Sequence, residues 1–491
     1  MDDSSFLVSE TLRRFPFVPT DGQAEAVGKI ASFLLSPAER RAFVLCGYAG
    51  TGKTSVVSAL VAMLRSMRRK VVLMAPTGRA AKVFSVYSEH RASTIHKTIY
   101  RQKSILDQNV FTLDKNYHED TLFIVDESSM ISDGCQPGAV FGSGRLLSDL
   151  VSYVYSAKGC AMLLLGDDAQ LPPVGENGSP ALDRCVLGEY GLEVSGYTLT
   201  EVVRQAAGSG ILSNATELRN AVSRTGKYDV PAGNAGFRIR LKGFGDIRAV
   251  HGSELIECIS GCYRKDGIWE TMVLCRSNKR AGIYNRGIRS TILDREEELS
   301  RGDRLMVVKN NYFWTERMIS EYAGGGEDTS GIPGFIANGD MATVEKVRNV
   351  TELYGARFAN VTLSFPDYDG FEFEARVLLD TLHTDAPALP KERQDELFKS
   401  VMEDYADVPD RRERMKLLRQ NEYFNALQVK YAYAVTCHKA QGGQWTDIFI
   451  DQGGVRDDER PDDYYRWLYT ALTRATGNVY LVNWPEKDLE A

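Results

Sequence analysis

The octapeptide Gly47–Thr54 (GYAGTGKT) constrains this chain more than any other stretch. It fits G-x-x-x-x-G-K-[ST], follows the apolar run Ala42–Gly47 (AFVLCG) and opens the helical pattern Lys53–Met67. In that context the glycines let backbone N–H groups close around phosphate oxygens, and the helix N-terminus adds a favourable dipole. Gly47, Ala49, Gly50, Thr51, Gly52, Lys53, Thr54 and Ser55 are therefore expected to hold a nucleotide. Lys53 is placed to reach the β and γ phosphates, and the Thr54 hydroxyl to bind Mg²⁺. ATP with Mg²⁺ is the implied cofactor pair.

The surrounding pattern sets the fold class. Val71–Pro76 (VVLMAP), Leu122–Glu127 (LFIVDE) and Ala161–Gly166 (AMLLLG) are further short apolar runs. Helical patterns such as Gly78–Tyr87 lie between them. Continuous apolar strands alternating with helices predict a parallel sheet covered on both faces. A second α/β set follows: Thr271–Cys275, a helix near Asn278–Thr291, then Ile448–Asp451 and Val479–Asn483. The intervening Asp303–Lys309, Asp340–Val347 and Val361–Phe365 are short β-like segments parted by turns, and predict a small β-barrel inserted in the second domain. Gly324–Gly334 (GGGEDTSGIPG) is expected to be a loop. Lys391–Asn425 is charge-rich with helical spacing and is expected to be a solvated helical insertion.

Carboxylates end the later strands. Asp126-Glu127 suits Mg²⁺ coordination by Asp126 and activation of water by Glu127. Gln170, in GDDAQLPPV, is placed to orient water or sense the γ-phosphate. Arg204 (LTEVVRQ) and Arg474 (LYTALTRAT) are candidates for stabilising transition-state charge.

These motifs occur in a fixed order: Gln23, GYAGTGKTS, APTGRAAKVF, STIHKTIY, FIVDESSM, GDDAQLPPV, LTEVVRQ, YAVTCHKAQG and YTALTRA. The set resembles superfamily-one DNA helicases of the RecD-like branch, and the Pif-type and Dda-type enzymes, from Gln23 to about Asn483. The resemblance implies two RecA-like P-loop domains, ATP in the cleft between them and 5′-to-3′ movement on single-stranded DNA. It also implies a barrel inserted in the second domain, and a strand-splitting hairpin where Tyr100–Asp120 stands. Gln23 matches the adenine-reading glutamine of the family. The domain boundaries follow as 1–195 for the first RecA-like domain, with the hairpin at 100–120. The second RecA-like domain takes 196–300 and 429–491, and the barrel with its helical insertion takes 301–428.

Single-strand binding needs phosphate donors and stacking faces. Pro76, Thr77 and Arg79 open a helix after a strand, and Thr94, His96 and Lys97 add donors. Thr436, His438 and Lys439 repeat the set in the second domain. Before the resemblance is considered, Thr94 and Thr436 also read as helix caps, and His96 and His438 as ordinary histidines. Tyr312, Phe313 and Trp314 read equally as stacking residues in the barrel or as a buried aromatic cluster. Cys258 and Cys262 lack the further ligands that zinc needs.

Composition bounds the rest. The net charge of −7 excludes a coat that binds nucleic acid by bulk attraction, so a local basic groove is expected. The acidic excess is then expected on outer faces, including parts of the helical insertion. No stretch approaches the roughly 20 apolar residues of a membrane helix, and the N-terminus has no signal pattern. The 8 scattered cysteines read as reduced thiols, which predicts a cytoplasmic protein. The expected partners are single-stranded and forked duplex DNA, with the protein acting as a monomer alongside repair or recombination proteins. Two rivals stand: a DNA-stimulated ATPase subunit of a RecD-like nuclease complex, and a nucleotide-switched binding module that does not translocate.

Overall fold

The computed structural model describes residues 3–102, 111–135, 141–201, 208–225, 237–325, 332–368, 370–453 and 461–490. The chain divides into two compact units, residues 1–250 with 440–448 and 454–491, and residues 251–439 with 449–453.

The first 200 residues of the first unit carry eight of its strands: β1 Arg41–Gly47, β2 Lys70–Ala75, β3 Ala92–Thr94, β4 Tyr100–Gln102, β5 Phe111–Leu113, β6 Thr121–Val125, β7 Ala161–Gly166 and β8 Glu193–Leu199. Six of them form a sheet in the order β3-β2-β6-β7-β1-β8. Every neighbouring pair is parallel. β6 and β7 are buried along their whole length and β1 along all but its first residue, which is why they read as unbroken apolar runs. Leu45, Ile124 and Leu163 pack with Val57, Leu60 and Leu64 of helix Lys53–Ser66 in the main core. Parallel connection brings the carboxyl ends of β1, β6 and β7 to one edge, where doubly wound sheets place their ligands.

β4 and β5 pair antiparallel as a small hairpin, with Tyr100 opposite Leu113. Its tip, residues 103–110, lies outside the described residues. Later chain returns to this unit. Ile247–Val250 pairs in parallel with Ala475–Val482, after helix Pro461–Leu472. Trp445–Asp451 is a strand that begins in the first unit and ends in the second.

In the second unit Thr271–Cys275 pairs in parallel with Ala434–Thr436. Helix Asn278–Gly287 holds this pair through one side chain. The Asn285 amide donates to Tyr431 and Ala434 carbonyls and accepts from the Tyr433 and Ala434 N–H groups. The barrel is closed and contains five strands: Arg304–Val307, Met341–Leu353, Ala356–Phe365, Phe371–Leu378 and Leu427–Tyr431. The last two were not marked in the sequence; Phe371–Leu378 alternates Phe with Glu, so its apolar half is short.

Helices Lys391–Glu403 and Arg411–Gln420 connect the last two barrel strands. They are not merely solvated. Leu397, Val401 and Leu418 join Ala356, Phe358 and Leu378 in a core of their own. Tyr312, Phe313 and Trp314 stand at the start of helix Phe313–Gly325, not in a barrel strand. Tyr312 and Trp314 are buried, and the Trp314 indole donates to the Asn425 carbonyl at 3.0 Å, so the buried-cluster reading holds over the stacking one. That helix also extends into the glycine-rich stretch expected as loop; residues 326–331 lie outside the described residues.

Candidate functional site

At the carboxyl edge of the six-stranded sheet lies a cavity of about 650 Å³. Ala49, Gly50, Gly52, Lys53 and Thr54 line it, with Asp126, Glu127, Gln170 and Arg474. Gly50 and Gly52 take positive φ (76° and 77°), a backbone that side chains disfavour. This turn delivers the N-terminus of helix Lys53–Ser66 into the cavity. The Lys53 ammonium donates back to the Gly47 and Tyr48 carbonyls. Gly47 is close-packed: a Cβ there would meet Lys53 Cγ at 2.8 Å.

Asp126 and Glu127 follow β6. Glu127 has φ of 50°, the left-handed region, which costs a non-glycine residue of order 1 kcal/mol. Stored strain beside a reactive carboxylate fits a residue whose direction matters more than its comfort. Arg474 Nη1 stands 3.8 Å from Glu127 Oε1. The guanidinium is buried and also donates to the Thr470 and Gly443 carbonyls. Burial pushes the Glu127 pKa up, and Arg474 opposes that rise. Asp126 is likewise raised by burial, while the Tyr87 hydroxyl and the Glu127 N–H, both donating to it, pull it down.

Gln170 is buried, and its Oε1 has no hydrogen-bond partner among the described residues. A buried amide oxygen without a partner costs about 1–3 kcal/mol, so the cavity is where a donor is wanted. Thr54 and Asp126 place a hydroxyl and a carboxylate on the same wall, hard oxygen donors that fit Mg²⁺. No cluster of three or more His, Cys, Asp or Glu suited to a metal occurs among the described residues.

Four expected contributors, Gln23, Gly47, Thr51 and Ser55, do not line the cavity. Gln23 is fully buried in a capping box, where its Oε1 accepts from Thr20 N–H and its Nε2 donates to the Thr51 carbonyl at 3.1 Å. Its amide braces the phosphate loop, and the Thr-Asp-Gly-Gln spacing explains the position: glutamine at the third helical residue completes a cap. Ser55 also lies off the cavity wall, and Thr51 is buried with its hydroxyl bonded to the Tyr48 carbonyl. Arg204 lies outside the described residues.

Two residues escaped the sequence reading. Tyr469 is buried, donates to Asp167 Oδ2 at 2.6 Å and accepts from the Ala49 N–H at 3.0 Å. It thus ties the phosphate loop to the end of β7. The acidic doublet Asp167-Asp168, and a tyrosine on the helix that precedes Arg474, are the available signals.

The expected nucleic-acid contacts divide likewise. Thr77 and Thr94 both cap helices, accepting from Ala80 and Lys97 N–H groups. Pro76 follows β2, and Arg79 stacks on Trp445 at 4.3 Å while donating to the Gln444 carbonyl. His96 packs against Phe141 at 4.7 Å, and burial drives its pKa down to about 4. It is therefore neutral at physiological pH and carries no charge to a phosphate. Lys97 is exposed. In the second unit His438 is exposed and Thr436 half-buried. The Lys439 ammonium is buried without a hydrogen-bond partner among the described residues. Burial and the neighbouring Lys430 lower its pKa to about 8. Thr436 and Lys439 line a small cleft with Asn278, Arg286 and Lys430, which the sequence had not singled out.

The chain is similar to several known proteins. A family model described as an AAA domain matches residues 19–229, and one described as the UvrD-like helicase C-terminal domain matches 431–482. The chain is 28% identical over 344 residues to the ATP-dependent RecD2 DNA helicase of Deinococcus radiodurans, covering 68% of this chain and 42% of that protein. It is 25% identical over 305 residues to the ATP-dependent DNA helicase dda of Enterobacteria phage T4, covering 61% and 63%. This chain thus spans less than two thirds of either relative. Among solved structures, Pif1 helicase from Bacteroides in complex with ADP-AlF3 and ssDNA aligns over 97% of this chain and 95% of its own, with 13% identity and a TM-score of 0.45. No helix among the described residues is long and apolar enough to cross a membrane. By its ordered motifs, both family models and these relatives, the chain is similar to superfamily-one helicases of the RecD-like and Pif-type branch.

Proposed function

We propose that this protein is an ATP-dependent DNA helicase that moves 5′ to 3′ along single-stranded DNA and unwinds duplex. The observation that carries the reading is Arg474 set 3.8 Å from Glu127 across a phosphate-loop cavity. A buried arginine beside a half-buried carboxylate is the pair that transition-state charge and an attacking water require. The curated relatives are named as ATP-dependent DNA helicases, which supports the same reaction.

ATP with Mg²⁺ supplies the phosphoryl chemistry. Lys53 and the loop N–H groups bind phosphate, Thr54 and Asp126 hold the ion, Glu127 orients and deprotonates water, and Gln170 completes the shell. Arg474 stabilises the developing charge, and Arg204 is the second arginine. Thr77, Arg79, Thr94 and Lys97 make one set of strand contacts, with Pro76 shaping their turn and His96 contributing a neutral ring. Thr436, His438 and Lys439 make the other. Gln23 acts through the phosphate loop it braces. The working domains are 1–195, 196–300 with 429–491, and 301–428, and the protein acts as a cytoplasmic monomer.

Strand displacement on substrates with 5′ or 3′ single-stranded tails tests the proposal. Unwinding with ATP from 5′ tails alone is expected. Unwinding only from 3′ tails refutes the polarity. DNA-stimulated ATP hydrolysis without unwinding favours the motor-subunit reading instead.

A further inference from the structure

The helix Arg411–Gln420 (RRERMKLLRQ) carries five cations and one carboxylate in a chain whose net charge is −7. Elementary helix physics disfavours this arrangement. Arg411 and Arg412 stand in the first turn, at the positive end of the helix dipole. Arg412 and Lys416 are like charges four residues apart on one face, a repulsive spacing. The Asp410 cap, accepting from Arg412 N–H at 3.0 Å, offsets only part of this.

Five other arginines of the unit are placed differently. Arg317, Arg348, Arg357, Arg376 and Arg393 each face a Glu or Asp within ion-pairing distance. Arg411, Arg412 and Lys416 have no such partner among the described residues, and all three are exposed. Meanwhile Leu418, with Met415 packed beside it, holds the helix on the barrel; Lys416 stands across the helix from Leu418, and Arg411 is exposed at the first helical residue, one turn before Met415. The result is a rigidly held cationic face, with its charges neither paired nor buried.

We propose that this face is a sequence-independent grip for the phosphates of duplex DNA. The inference rests on the DNA-helicase reading for its choice of polyanion. Two features favour duplex over single strand. The helix has no aromatic residue, so it offers no platform on which unpaired bases could stack. A duplex hides its bases and carries one phosphate charge per ~1.7 Å of axis, the density that a cluster of arginines matches best. Arg412 and Lys416 are about 6 Å apart along the helix, which lets adjacent cations engage separate phosphates.

The full chain carrying R411E/R412E/K416E, which leaves Met415 and Leu418 in place, tests this. Binding to a short blunt duplex is measured by fluorescence anisotropy over a salt series, beside ATP hydrolysis with saturating oligo(dT). The expected result is duplex affinity lower by on the order of tenfold or more at low salt, a salt slope shallower by about 3, and unchanged oligo(dT)-stimulated hydrolysis. Unchanged duplex affinity and slope overturn the grip, as does wild-type protein that fails to bind duplex at low salt. An equal loss on oligo(dT) overturns the duplex assignment. Retained duplex binding with lost binding to polyglutamate overturns it in favour of an acidic protein partner. Should circular dichroism show the triple reversal unfolded, R411Q/R412Q/K416Q carries the same comparison. Wild-type hydrolysis that ignores DNA, with duplex binding still lost in the variant, would break the helicase reading and leave the grip standing.

Discussion

The phosphate-loop cavity of the first unit and the Thr436–Lys439 cleft of the second hold their polar groups by different means. In the cavity almost every polar group is already held. Asp167, Tyr469 and the Ala49 N–H form one chain of bonds, and Glu127 keeps a left-handed backbone. In the cleft Lys439 has a buried ammonium with no bonded partner, beside a second lysine. Chemistry needs atoms fixed before the reaction, because electrostatic stabilisation acts only when it costs no reorganisation. Gripping a moving strand needs the reverse, a charge that a phosphate satisfies and then leaves. Substitutions should therefore affect turnover in one region and affinity in the other.

The sharpest break of this contrast is Lys53→Ala. ATP hydrolysis should fall below detection while single-strand binding persists. Full hydrolysis in that variant would remove the cavity from the reaction altogether. Arg474→Ala should keep ATP binding and lower turnover by about 10³-fold, the range for an arginine that meets transition-state charge. The pH profile supplies a second readout. Glu127 must be ionised to act, and burial raises its pKa, so turnover should fall with falling pH at a point above the ordinary carboxylate range. Arg474 is the largest opposing influence, and its loss should move that acidic limb higher still. An unmoved limb, read on the residual turnover, would separate the two residues.

Legibility in the sequence followed the same divide. The phosphate loop, the carboxylates after β6 and the arginine of ALTRA are local words, each set by a backbone that neighbouring residues dictate. β7 was marked to the residue, because a strand buried on both faces has an unbroken apolar run. β8 was missed: it is an edge strand whose outward positions are polar. Tyr469 was missed because its partners lie about 300 and 420 residues away in the chain, and no local pattern encodes such a bond. Gln23 shows the converse. Its place in the motif order was visible, but the capping box that occupies its amide is a matter of geometry. The helical insertion read as uniformly solvated because hydrophilic spacing conceals three anchors, Leu397, Val401 and Leu418. Its acidic and basic halves also sum to little, so composition could not reveal the cationic helix.

Lys439 tests the affinity side. Lys439→Ala should weaken single-strand binding and make its salt slope shallower by about 1, with hydrolysis at saturating DNA preserved. Because its pKa is lowered to about 8, the ammonium is charged below that pH and lost above it. Affinity should thus drop as pH rises through about 8 in the wild type. Lys439→Arg, whose charge does not titrate there, should bind evenly across the range. A drop that survives in the arginine variant would place the titrating group elsewhere.

The smallest expected effect is the most specific to the interlocked cavity. In the free protein the Tyr469 hydroxyl accepts from the Ala49 N–H, a group that a phosphate loop otherwise directs at its ligand. Tyr469→Phe leaves that N–H without a partner until phosphate arrives, while the bond to Asp167 is lost whether or not nucleotide is bound. The free state is therefore destabilised more than the bound one, by about 1 kcal/mol for a single neutral hydrogen bond. ADP should bind roughly fivefold more tightly, as read by calorimetry. Weaker binding would mean that Tyr469 holds the loop open for nucleotide, and that the cavity is braced in readiness and not capped in waiting.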